Sequence, residues 1–156
     1  MRKRLMAAPE SIRTRGEGWL DIEGAAVVEV TSEEPNCPVE SAFVSGHTRG
    51  WRAAAPGSQT IRLVFDQPQR LKCISLVFEE DETARTQEFV LRWSPDGGSS
   101  VKEIVRQQWN FSPPESIREM EEYQVHLSSV TILELTINPN ISGGAARASL
   151  KNLHLS

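Results

Sequence analysis

The chain has 156 residues, 38% of them hydrophobic and 24% charged, which is the size and balance of one soluble domain with a real core. The formal net charge of −4 is uneven: residues 1–15 carry five basic side chains against one acidic, leaving 12 of the 17 basic and 20 of the 21 acidic residues for the remainder. An acidic body repels the phosphate backbone, so nucleic acid is not an expected partner.

Leu5 to Ala8 stops at Pro9, too short for an export signal, and no apolar run reaches the ~18–20 residues of a membrane span. No membrane association is therefore expected. Cys37 and Cys73 without a secretory signal make no disulfide framework, and the expected compartment is the cytoplasm.

Residues 1–24 form an N-terminal arm that Trp19, Leu20 and Ile22 would pin to the body. Periodicity of two governs the chain from residue 25 onward. Ala25 to Thr31 is a β-branched run suited to a first strand. Residues 32–58 are broken by Pro35, Pro38, Gly46, Gly50, Pro56 and Gly57 and read as a long irregular stretch.

Ile61, Leu63 and Phe65 then share one strand face, as do Ile74, Leu76 and Phe78 in the strand 71–79. Phe89, Leu91 and Trp93 mark the strand 87–94, which runs into the tight turn Ser94-Pro95-Asp96-Gly97-Gly98. Val101, Val105, Trp109 and Phe111 share a face, followed by Ile117, Tyr123, Val125 and Leu127. Val130 to Ile137 reads as a central strand, and the spacing of Leu150, Leu153 and Leu155 suggests a bulge in the last one.

Eight short antiparallel strands predict an all-β jelly-roll sandwich over residues 25–156. If successive strands alternate in direction, the short turns 66–70, 95–99 and 128–129 fall at one end. Loops 32–58, 80–86, 112–116 and 139–145 then fall at the other, which becomes the expected binding surface.

No catalytic signature appears, and the chain is read as a non-enzyme. His47, His126 and His154 lack zinc spacing. Ser45 and Cys37 have no supporting base or elbow. Glu79-Glu80-Asp81-Glu82 lacks the spacers and glycine of a calcium loop and reads as a solvated turn. No cofactor is expected from side-chain spacing.

His47 sits in the long loop near Arg49 and Arg52, where imidazole and guanidinium groups can bond sugar hydroxyls or an anion, or simply be solvated. Trp109 and Phe111 read as core in phase with Val105. The alternative for them is a stacking platform beside Pro113-Pro114.

The run Trp51-Arg52-Ala53-Ala54, the strand from Gly57 to Leu63, the Ser94-to-Gly98 turn and Phe111-Ser112-Pro113 together resemble the galactose-binding-like, discoidin (coagulation factor 5/8 type C) superfamily. The similarity is closest to its intracellular branch, which contains the N-terminal domain of a single-strand-break-repair scaffold. The resemblance implies a non-catalytic binding module of the carbohydrate-binding type that uses the long-loop end. The second implied function is a protein-docking domain that accepts a partner through the sheet edge near Val101 to Phe111.

Sugar binders of this kind use loop-end His, Arg and Asn residues with an aromatic platform. His47, Arg49, Arg52, Arg85, Trp109, Asn138 and Asn140 match that set by position. Such binders commonly hold a structural Ca²⁺ on backbone carbonyls, which leaves no side-chain trace. The superfamily's disulfide between chain ends is absent, as expected of a cytosolic member. A stand-alone module of this size implies a partner supplied in trans.

Overall fold

The computed structural model describes residues 18–44 and 49–156. A short helix α1 (Ile22–Ala25) leads into β1 (Ala26–Val30), followed by β2 (Trp51–Pro56), β3 (Gln59–Glu79), β4 (Arg85–Ser94), β5 (Lys102–Phe111), β6 (Arg118–Asn138), β7 (Arg147–Leu150) and β8 (Asn152–Leu155). Asp21 caps α1 by accepting from the Gly24 amide, which satisfies one of the helix's unpaired donors.

β3 and β6 are each 21 residues long and pair with each other along nearly their full length. The first half of β3 and the second half of β6 belong to one layer, ordered β1-β3-β6-β4-β5. Their other halves form a second layer, with β8 on the far side of β3 at Ile74 to Val77. The layers pack face to face: Phe78 of β3 stacks on Phe89 of β4 with ring centroids 5.1 Å apart, although these segments do not pair. β2 and β7 make a small separate ribbon.

The sequence pattern predicts turns at 66–70 and 128–129. Both are instead irregular stretches inside continuous strands, where the register shifts between Val64 and Cys73. A bulge turns the ribbon from one layer to the other without breaking its hydrogen bonding, so a polar, Pro-containing stretch looks like a turn in sequence. The long stretch 32–58 contains a 3₁₀ turn at Val39–Ala42 and strand β2, and is not irregular throughout. β2 exists through its long-range partner, with Trp51 opposite Leu150. The bulge expected near residue 151 is a change of partner, since β7 pairs with β2 and β8 with β3.

Ile61, Leu63, Phe65, Leu76, Phe78, Phe89 and Leu91 are buried as strand phase predicts, as are Leu133, Leu135 and Ile137 of the central strand, and Trp93 is half-buried against the core, so the period-two register holds through the bends. Trp51 is fully buried and its indole N–H donates to the Ser32 carbonyl at 2.9 Å. Just before it, Gly50 has φ +74°, and a Cβ there would come within 2.7 Å of the Lys151 Cα. Only glycine allows β2 to lie this close to the β7–β8 junction. The described part of the arm lies against β8: Leu20 donates its amide to the Leu155 carbonyl, and Trp19 stacks on His154.

Candidate functional site

The loops that follow β3, β5 and β6 meet at one end of the sandwich, and a single side chain ties them together. Arg85, at the start of β4, has a side chain only 1% exposed. Its Nε donates to Glu80 of the 80–86 loop at 2.7 Å, and its Nη1 donates to the Pro139 carbonyl at 2.8 Å and to Gln87. Its guanidinium also lies over the Phe111 ring at 4.8 Å. Burial pushes the Glu80 carboxyl up. The bonds from Arg85 and the Glu82 and Thr83 amides outweigh that and leave it below the usual carboxylate range.

Backbone bonds complete the platform: the Ile141 amide donates to the Thr86 carbonyl, and the Glu80 amide to the Ile117 carbonyl. Ile117 and Ile141 are left exposed at its surface. Thr31 and Ser32, at the end of β1, reach the same end through Gln59, whose partner across the ladder is Ile137.

The expected ligand residues divide. Asn138 and Asn140 lie on the platform. Their Oδ1 atoms accept from the Asn140 and Ser142 amides and shape the loop. Their Nδ2 donors have no partner among the described residues. Arg49 is exposed beside Gly50, while Arg52 is drawn into an ion pair with Glu34 at 3.4 Å. His47 lies outside the described residues. Arg85 is a correction: it is the buried clamp of the loops and cannot meet a ligand. A residue next to an acidic loop reads as exposed in sequence, and only the fold shows that the loop closes over it.

Trp109 follows the core reading, and its place in the ligand set is a second correction. The phase it shares with Val105 turns it inward opposite Gln87, half-buried against the core. Its indole N–H and the Tyr123 hydroxyl are buried without a hydrogen-bond partner among the described residues, and Glu119 Oε2 is buried with no donor directed at it. Gln87 donates to the other Glu119 oxygen at 3.2 Å. Burial, together with the neighbouring Glu121, pushes the Glu119 carboxyl up to about 9. It therefore carries a proton at neutral pH, with Glu121 positioned to receive it. Burial and the same Glu121 raise the Tyr123 phenol.

The outer face of the first layer carries no signal of a site in the sequence, yet it holds a groove of about 460 Å³ near the Ser94-to-Gly98 turn. Cross-strand register sets Glu29, Arg62, Glu134, Arg92 and Glu103 in one row of alternating charge across five strands. Val27, Val64, Ile132 and Ser94 form the adjacent row. Single charged positions within otherwise apolar strands, such as Glu29, Arg62 and Glu134, are the trace of this in sequence, and they do not reveal which strands align.

Among the described residues no cluster of three or more His, Cys, Asp or Glu could hold a metal, and no helix is long and apolar enough to cross a membrane.

No protein-family model and no curated protein matches the chain. Solved structures do. The family 32 carbohydrate-binding module of C. perfringens NanJ, in complex with galactose, superposes with a TM-score of 0.61 at 14% identity, covering 86% of this chain and 95% of that one. A family 32 module from a Clostridium perfringens family 31 glycoside hydrolase gives 0.61 at 18%, covering 90% and 95%. The family 32 module of AlyQ, in complex with 4,5-unsaturated mannuronic acid, gives 0.60 at 16%, covering 85% and 95%. The fold is a galactose-binding-like β-sandwich. At these identities the likeness reaches no further than the fold.

Proposed function

We propose that this chain is a non-catalytic carbohydrate-binding module that takes a glycan at the loop end. The observation that carries the reading is the Arg85-clamped platform, where two amide donors, Asn138 Nδ2 and Asn140 Nδ2, have no partner among the described residues near the exposed Ile141. Fixed amide donors suit sugar hydroxyls, and an aliphatic side chain suits the C–H face of a pyranose. Similarity in fold to modules solved with galactose and a uronic acid supports the same reading. Arg49 adds an exposed donor on the long loop that leads into β2.

A glycan array followed by titration calorimetry on the best hit tests it. Asn140→Asp keeps the oxygen that caps Ser142 and replaces the donor with a carboxylate oxygen. It should lower glycan affinity at least about tenfold with an unchanged melting temperature, the usual effect of leaving a ligand hydroxyl unmatched. No binding to any glycan at millimolar concentration, or unaltered affinity in Asn140→Asp, overturns the proposal.

A further inference from the structure

From the sheet-face groove we infer a second ligand site, independent of the loop end, that takes an acidic sugar, a uronic acid residue within an oligosaccharide. Its chemistry is divided along two rows. On one side the charged row is unevenly satisfied. Arg62 reaches Glu29 at 3.2 Å and grips Glu134 Oε2 with both Nε (2.9 Å) and Nη2 (2.8 Å). Arg92 meets only the other Glu134 oxygen, at 3.9 Å, beyond hydrogen-bond range, and no other carboxylate pairs with it among the described residues.

Its guanidinium is about one-third exposed and opens onto the groove. A planar fork of donors with no carboxylate in hydrogen-bond range among the described residues is suited to an incoming one, bound through two charge-assisted hydrogen bonds. Glu29 and Glu134 line the same wall and can only accept, which suits the hydroxyls of a sugar ring.

On the other side lie Val64, Ile132, Gly98 and Val101. Val101 is 55% exposed, and Val27, in line with Val64, is 59% exposed, so this apolar strip is open to solvent at both of these side chains. It matches the C–H face of a pyranose. The rim is rigid: Ser94 Oγ accepts from the Asp96 and Gly98 amides, Asp96 accepts from the Ser100 amide and hydroxyl, and the Gly97 amide is bound to Thr131. Hydrogen bonds from Ser100 and Ser94 hold the Asp96 carboxyl below its usual range, so the turn stays locked at neutral pH. A pre-formed rim lowers the ordering cost of binding.

Titration of the full chain with trigalacturonate, beside a neutral galactose trisaccharide, tests the inference, with amide chemical shifts mapping the contact. Trigalacturonate should bind, weaken with added salt, and shift the amides of Val64, Gly98 and Ile132. Arg92→Gln should weaken it roughly tenfold to a hundredfold. Val101→Asp, at an exposed position that cannot upset folding, should do the same by repulsion. Asn140→Asp should leave it unchanged, so failure of the loop-end reading and failure of this one are separable. Absence of binding, equal affinity for the neutral trisaccharide, shifts confined to residues 80–86 and 139–145, or full affinity in Arg92→Gln would each overturn the assignment.

Discussion

Glu119 shows what one residue can impose on the molecule. It sits in a strand whose neighbours Arg118 and Met120 face water, and alternation alone sends it inside against Phe78 and Gln87. A carboxylate there would have lost its hydration, so the group keeps its proton up to about pH 9. The sign of the consequence is fixed by linkage. The folded chain holds a proton that the unfolded chain releases near the ordinary carboxyl value. The stability tied to Glu119 is therefore complete below about pH 4.5 and is lost as pH rises towards 9. Glu119→Gln retains the oxygen bonded to Gln87 and offers Glu121 a permanent donor. Melting temperatures across pH 5 to 9 should fall less steeply in the variant than in the wild type, with the variant the more stable at about pH 8. Parallel curves would show that Glu119 is ionised in the folded state.

At the scale of elements, the loop end depends on β4 more than on the loops themselves. Strand β4 opens with Arg85, and the three bonds and one ring contact of that side chain join the 80–86 loop, the start of the 139–145 loop and the end of β5. Removing the charge strands Glu80, itself largely covered, and the Pro139 carbonyl. Losing one partner of a buried ion pair costs about 3–5 kcal/mol. Arg85→Gln should lower stability by that order and speed amide exchange at Ile141 and Glu80, while β1 and β8 keep wild-type protection. Unchanged exchange at Ile141 would mean that the loops stand without the clamp.

For the whole molecule, the open side of the sandwich is its exposed flank. β5 ends the first layer and the first half of β6 ends the second, so both leave edges unpaired among the described residues. Free edges invite strand addition unless charge discourages it. Here Arg106 bridges Glu88 and Glu103 on the outer face of β5, all of them partly exposed. Replacing Glu103 and Arg106 together by Thr should produce concentration-dependent self-association in sedimentation experiments. A double variant that stays as monodisperse as the wild type would show that charge is not what protects this edge.

The sequence by itself determined the all-β class, the inward phase of Leu63, Phe78, Phe89, Leu91 and Leu135, and the gathering of the loops around 80–86, 112–116 and 139–145 at one end. Each follows from strand alternation and turn chemistry, which are local and period two. It did not determine that β3 and β6 run unbroken from one layer to the other, because a bulge and a turn use the same residues. Nor did it show that Arg85 is enclosed, or that Glu29, Arg62, Glu134 and Arg92 stand in one row. Those depend on which strand pairs with which and in what register. Register is set by packing between residues as remote in sequence as Trp51 and Leu150 or Gln59 and Ile137, and no window along the chain contains it.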